Sequence, residues 1–466
     1  MAFSLLGGLE AGKRALLAQQ YQLINIGHNI ANVNTPGYTR QQVLFETTAP
    51  YTSPEGKFGT GVRIATVRQI RDLFLTAQFR RESESLGHWN AMNRTMSQVE
   101  NVFLEPTENA LNDLLNDFFN AWQGLTTAAD SQTARSSLRE QAMLLISALR
   151  QTSRRLTDII HNLDDDVSGA ITEINQKAAR ISEINLQIAY AELDHNKAND
   201  LRDRRDHLID ELSSKLQVRV LEEKTGAVRV FIGAMEFIGS GHYQPLGTVV
   251  EAAAATTVHQ LVWEGTQMRL SHFGGELEAL IEARDEILPD YIDRLDTLVA
   301  AIVSEVNALH VTGYGADNQT GVNFFDPSGL TAATVDLSQE VKDNVSHIAA
   351  SSAVDSPGNN EIALAIAGLK SAPILENNSS TFNEYYASLV GLVGVRAGQA
   401  ADTKESFDLV LEQLEFSRQS VQGVSLDEEM ANMIRAQHAY DAAARIILTI
   451  DHALGTIVNE LGVGAR

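Results

Sequence analysis

Both ends of the 466-residue chain repeat an apolar residue every seven positions, and neither end can bury that repeat alone. Near the N-terminus the repeat runs through Leu9, Leu16, Leu23 and Ile30, with Leu5, Gly12, Gln19, Ile26 and Val33 on the intervening position. Near the C-terminus it runs through Met433, Tyr440, Ile447, Leu454 and Leu461. Ala444 and Val458, with Gln437 and Asp451, supply the second position there. A seven-residue repeat is a seam for another helix. The simplest way to cover both seams is to pack the two ends on each other, which brings the termini together. A two-helix contact buries one stripe per partner, and single helices of this length are marginal in water. Further burial against other subunits is therefore expected.

Local signals bound the two helices. The segment NIGHNIANVNTPGYTRQ places Asn25, Asn29, Asn32 and Asn34 where the first helix ends. Pro36 keeps Thr35 out of the helical region, and Pro36-Gly37 fits the centre of a type II turn, so the helix is expected to stop near Val33. Asn25, Asn29 and Asn32 step by four and three beside Ile26, Ile30 and Val33. Such a polar stripe next to a seam can fix register at some cost in stability, and it is expected to set how neighbouring subunits interlock. At the other end Ser425 is a good N-cap, and Asp427, Glu428 and Glu429 favour the positive end of the helix dipole.

Between the ends the pattern changes twice. YTRQQVLFETT and FGTGVRIATVRQI read as extended, joined by a turn-rich stretch. Helical periodicity covers about 71–104, 108–125 and 131–215. In the last of these, apolar residues step by three or four from Ile160 to Ile188, as in one long amphipathic helix or a pair. Residues 216–272 read as short strands separated by glycine-containing turns. Helical pattern resumes over 275–310, with a kink expected at Pro289, and over 379–422. The stretch 312–378 carries only short elements. The expected fold is mainly α with a small inserted β domain. Paired terminal coiled-coil helices (1–36 with 425–466) join a β-like connector (37–70), a central helical bundle (71–215 with 273–424) and a short-stranded β insertion (216–272).

Composition excludes several classes. The net charge is −24, and the excess of acid lies beyond residue 100. Such a surface disfavours nucleic acid and anionic membranes as partners. No cysteine is present, which removes disulfides, thiolate metal sites and thiol nucleophiles. The N-terminus lacks the basic start and small-residue cleavage site of a secretory signal, and no apolar run is long enough to span a membrane. The twelve histidines form no metal motif, and neither a phosphate-binding loop nor a nucleophile elbow occurs. Asp164-Asp165-Asp166 reads as a solvated run. No catalytic, cofactor or metal residue is expected, and no enzyme.

NIANVNTPGYTRQ resembles the N-terminal signature of axial proteins of the bacterial flagellum, the rod, hook and hook-associated proteins. SLDEEMANMIRAQHAYDAAARIILTIDHAL resembles their C-terminal signature. The Asp-Glu-Glu-Met-Ala-Asn run and Gly-Tyr-Thr-Arg-Gln favour the branch of hook-associated protein 1 (FlgK). Close likeness covers roughly the first 45 and last 40 residues. The family varies in the β region, where no specific match is found. The resemblance implies a structural subunit of the junction layer between hook and filament, needed for filament attachment. A hook or distal rod subunit is the alternative, and a flagellar assembly hydrolase a more distant one. The implied partners are further copies of the chain, the hook protein, a second junction protein (hook-associated protein 3) and an export chaperone on the C-terminal helix. The implied location is extracellular, reached through the flagellar type III apparatus. Mapped onto this chain, the shared motif gives assembly residues Asn29, Ile30, Asn32, Asn34, Pro36, Gly37 and Tyr38, to which the asparagine stripe adds Asn25. The C-terminal set is Leu426, Glu429, Met430, Asn432, Met433, Gln437, Tyr440, Ala444 and Ile447, to which the heptad seam adds Leu454 and Leu461. His28 and His438 receive no role.

Overall fold

Helix α1 (Ala2–Ala31) carries glycines at positions 7, 8 and 12, and two of them decide how closely another helix can approach. The partner is the last helix of the chain. A Cβ on Gly12 would stand 3.0 Å from Ile447 Cγ1, and one on Gly8 would stand 3.1 Å from Ile450 Cδ1. Asn29 meets Glu429 at the other end, so the two helices run antiparallel. The computed structural model that shows this describes the backbone of residues 2–53, 56–103, 111–194, 196–253 and 256–458.

The chain leaves α1 at Pro36-Gly37, where Gly37 has φ of +75°, as the second central residue of a type II turn requires. Strand β1 (Gln41–Thr47) then pairs antiparallel with β4 (Val62–Gln69), bulging between Leu44 and Phe45. A small ribbon of β2 (Tyr51–Ser53) and β3 (Gly56–Phe58) extends the hairpin. The helical body follows: α2 (Leu73–Phe103), α3 (Leu111–Thr127), α4 (Gln132–Ala191) and α5 (Asn199–Lys215). Ser131 caps α4 by accepting from the Ala134 N–H at 3.2 Å. The long periodic stretch is thus two helices, broken at 192–198. Glu192 folds back there to accept from the Ala198 N–H and from Arg202. At the crossing of α2 and α5 a Cβ on Gly87 would overlap the Ser214 carbonyl oxygen, so only glycine permits that approach.

Among the described residues the β insertion is five strands. β5 (Arg219–Glu222), β6 (Val228–Ile232) and β7 (Met235–Ile238) form an antiparallel meander, and β8 (Leu246–Ala253) pairs with β9 (Thr256–Trp263). Two asparagines of α4 hold it. Asn175 donates to the Leu246 carbonyl at 2.7 Å and accepts from its N–H at 2.9 Å; Asn185 does the same to Val228, at 2.7 and 3.0 Å. Asn175 stands in for the strand that the free side of β8 lacks, and Asn185 continues the pairing of the central strand β6 past the end of β7. Asp164 is not solvated like Asp165 and Asp166. It is buried, accepting from Arg284 at 2.6 Å and from the His259 N–H at 2.9 Å, and so ties α4 to β9.

Helix α6 (Gly275–Glu282) passes into a π-helical turn (Ala283–Ile287) and then α7 (Leu288–His310). The irregularity expected at Pro289 is this widened turn, just ahead of the proline, which has no N–H to give to the helix. Short elements follow at α8 (Gln339–Asp343), α9 (Glu361–Gly368) and α10 (Leu375–Asn378). Helix α11 (Phe382–Gln422), opened by a capping box of Thr381 and Glu384, packs along α2, and α12 (Leu426–Thr456) closes the described chain. The aromatic centre of the helical body comprises Phe118, Phe119, Trp122, Phe324 and Phe325, all at most 1% exposed. The fold is mainly helical with small sheets.

Candidate functional site

The residues of the N-terminal motif converge where α1, β1 and the start of α12 meet. Asn29 is 1% exposed, and its amide is fully used. Its oxygen accepts from the Gln41 N–H at 3.0 Å and the Tyr38 hydroxyl at 2.7 Å. Its nitrogen donates to the Gln41 carbonyl at 2.9 Å and to Glu429 Oε2 at 3.1 Å. That is the complete capacity of a primary amide. Asn25 adds a second donor to the Gln41 carbonyl at 2.8 Å. Asn32 closes the helix end, donating to the His28 carbonyl at 2.9 Å and accepting from Thr35 at 3.1 Å. These three amides therefore bond within the chain. Asn34 and Pro36 are exposed, and the half-buried Ile30 lies one position beyond Asn29.

Glu429 joins the two ends. It is 2% exposed and accepts from Arg40 Nε at 2.8 Å as well as from Asn29. The other arm of the Arg40 fork reaches Glu428 at 2.8 Å. The first turn of a helix suits both carboxylates. A buried pair of this kind adds little net stability when intact. Losing one partner is costly, on the order of 3–5 kcal/mol, because the other charge stays buried.

Helix α5 forms the floor. Asp203 accepts from the Thr39 N–H at 3.1 Å and from Gln69 at 2.7 Å, and Asp200 accepts from Gln41 at 2.8 Å. Burial pushes the Asp203 carboxyl up to about 6 in spite of the Thr39 hydrogen bond. Burial, then the charges of Asp200, Asp203 and Glu429, push the Tyr38 phenol up as well. It stays protonated and donates to Asn29, while His28 Nδ1 lies 3.1 Å from the same oxygen. Gly37 packs tightly here, since a Cβ on it would lie 2.9 Å from that of His207.

The seam of α12 differs from its sequence reading. Met433, Tyr440, Ile447 and Leu454 are half-buried, but the second position is Glu429, Ala436, Ala443 and Ile450, not Gln437, Ala444, Asp451 and Val458. Glu429, Ala436 and Ala443 are the buried residues of the helix. Alanines at the second position let the backbones approach, which matches the glycines on α1. Met430 is 57% and Leu426 46% exposed, Gln437 is exposed and Ala444 half-buried. Asn432 accepts from Arg435 at 2.7 Å. Leu461 lies outside the described residues. Arg40, Gln41, Asp200 and Asp203 were not singled out from the sequence. Arg40 and Gln41 stood inside the quoted motif, and the alternating charges of NDLRDRRDHLIDEL in α5 were the available signal for the other two.

Chemically the cluster binds and orders chain segments. Among the described residues no group of three or more metal-ligating side chains occurs, and no helix is long and apolar enough to cross a membrane.

Three family models match the chain. The flagellar hook-associated protein FlgK helical domain covers residues 96–325. The flagella basal body rod protein model covers 9–39, and the C-terminal model of the flagellar basal body rod FlgEFG proteins covers 419–460. The last two overlie the halves of the cluster on α1 and α12. Flagellar hook-associated protein 1 of Bacillus subtilis (strain 168) is 31% identical, over 98% of this chain and 99% of its own length. The proteins of the same name from Salmonella typhimurium and Escherichia coli K12 are 24% and 22% identical, each over 95% of this chain and 98% of their own. The solved structure of the flagellar hook junction protein FlgK from Burkholderia pseudomallei superposes with a TM-score of 0.67 at 14% identity, over 74% of this chain and all of that one. Near-complete coverage at this identity places the chain in the flagellar hook-associated protein 1 (FlgK) family.

Proposed function

We propose that this chain is a structural, non-enzymatic subunit of the junction layer between the flagellar hook and filament. The observation that carries the reading is the buried Asn29–Glu429–Arg40 lock, which makes one antiparallel rod of the two chain ends. The rod still presents apolar side chains outward. Leu17, Tyr21 and Ile24 of α1 are 42–60% exposed, and Ile434, Ile446 and Leu448 of α12 are 52–67% exposed. A rod apolar on its outer side gains by packing among copies of itself. In this reading residues 1–36 with 425–466 are the assembly part, 37–70 the connector and 216–272 an outward β domain. Met430, Gln437 and Ala444 stand off the α1 seam, where they can meet a neighbour. The partners are further copies, the hook protein and the second junction protein, with an export chaperone holding the apolar face of α12 before secretion. The place of work is the extracellular flagellum, reached by the type III route. Against a hook or rod subunit stands the match to the FlgK helical domain over 96–325.

Deleting the gene tests the reading. The expected outcome is finished hooks without filaments and flagellin shed into the medium. Incomplete hooks would point to a rod or hook subunit, and normal filaments would refute the junction role. A chain lacking residues 1–35 should keep a folded middle and fail to restore filaments.

A further inference from the structure

A basic cleft lies on a protein of net charge −24. It is a depression of about 610 Å³ between α2, α5 and the β5–β6 strands. At its floor Asp206 pairs with Arg71, with Arg205 at 3.1 Å and with Arg80 at 3.9 Å, while Arg80 is held more closely by Asp210 at 2.6 Å. Burial, then the nearby Arg80 charge, holds the Arg71 guanidinium down to about 10. At the rim Arg81 and Arg219 are exposed and have no carboxylate partner among the described residues. The other acids of the cleft, Glu84 and Glu222, already engage Gln217 and Arg202. The walls are apolar: Leu73 is 72% exposed, and Arg219 stacks 5.0 Å from the Phe231 ring.

The same chain carries a complementary face. On α11, Glu405, Leu409, Glu412 and Phe416 follow one another by four, three and four residues and so share a side. Leu409 is 62% and Phe416 69% exposed, while Glu405 and Glu412 have no ion-pair partner among the described residues. The opposite side of α11 is already taken, with Leu414 buried and Arg418 seated 4.2 Å over the Phe79 ring of α2. Leu409 and Phe416 therefore stand clear of α2, while Glu412 stands at the mouth of the cleft between α11, α2 and α5.

We propose that the Glu405–Phe416 face of one copy seats in the Arg81–Arg219 cleft of the next, head to tail. Two different patches on one chain make a heterologous contact, which propagates into a ring or helical layer rather than stopping at a dimer. Unpaired cations over apolar walls match unpaired carboxylates beside apolar side chains, so register and partner choice are set together. The inference rests on the reading of the chain as an assembling subunit.

The absence of cysteine makes a direct test possible. The full chain carrying Ala77→Cys, at an exposed position of α2 that lines the cleft, and Leu409→Cys is expressed in a flagellated bacterium lacking its own copy, and its flagella are oxidised. A ladder of disulfide-linked dimers, trimers and longer species is expected. Arg81→Glu with Arg219→Glu should reduce the ladder at least tenfold, and adding Glu405→Lys with Glu412→Lys should restore it. No ladder from flagella that carry filaments overturns the contact while leaving the junction reading intact. A dimer from Ala77→Cys alone in equal yield indicates a two-fold contact and also overturns it. So does a photo-crosslinker at Ala77 that captures another protein in place of α11. Failure of the junction reading shows separately, as normal filaments when the gene is absent.

Discussion

Replacing Asn29 by Leu removes one side chain and takes a hydrogen bond from four groups. The Gln41 N–H and the Tyr38 hydroxyl lose their acceptor, Glu429 Oε2 loses a donor, and the Gln41 carbonyl keeps only Asn25. A buried donor left unmade costs about 1–3 kcal/mol, and a bond to a charged group contributes roughly 1.5–3 kcal/mol. Tyr38 is only half-buried and can turn toward water, and leucine recovers some apolar burial. A net loss of about 3–4 kcal/mol is therefore expected at the contact of α1, β1 and α12. Helix propensity is not the cause, since leucine is the better helix former. The assay is amide hydrogen exchange, which reads local opening without requiring the whole chain to unfold as one unit. Amides of α12 around Ala436 and Ala443 should exchange about 10²–10³-fold faster, or reach free-peptide rates, while the core of α4 stays unchanged. Unchanged protection in α1 and α12, within about threefold, would refute the argument that Asn29 is the central bond of the lock.

Three further outcomes follow from the geometry. Gly37→Ala forces a left-handed backbone on alanine, about 1–2 kcal/mol, and drives a Cβ against His207; faster proteolysis at residues 33–41 is the readout. Arg284→Ala leaves Asp164 buried without its guanidinium and should lower stability by about 3–5 kcal/mol, seen as a lower urea midpoint for the β8–β9 region. His310 is fully buried, donating from Nδ1 to the Val322 carbonyl at 2.7 Å and accepting from the Ala349 N–H at 2.9 Å, and burial lowers it from 6.5 to about 4. The folded state prefers the neutral ring, so this stability is complete above pH 6.5 and is lost as pH falls through 4. It amounts to about 3 kcal/mol, and a His310→Asn variant should show a flatter stability profile over that window.

The arrangement of elements was legible in the sequence because periodicity reports it. The heptads at both ends, the strand-like 216–272 stretch and the Pro36-Gly37 break each reflect a local rule. The seam of α12 was read one residue off because both candidate positions are weakly apolar. Ala436 and Ala443 score no higher than Ala444, and Glu429 looks like an ordinary dipole-favoured residue until Asn29 and Arg40 bury it. The asparagine stripe was visible, yet its partners were not. Asn29 bonds Gln41 only because the turn brings β1 back along α1, and Glu429 is 400 residues away. Asn175 and Asn185 bond strand backbone by the same means, and nothing in their neighbourhood in the chain points to the strands they hold. The break at 192–198 depends on Glu192 bonding forward to Arg202, a tertiary choice within a stretch whose helical pattern continues.

The central claim is that locking the two chain ends into one rod lets the chain join filament to hook. Electron microscopy of cells whose only copy carries Asn29→Leu measures it, as the fraction of hooks bearing filaments at matched amounts of exported protein. Mostly bare hooks with flagellin in the medium is the predicted result. Filaments on as many hooks as in the parent strain would contradict the account.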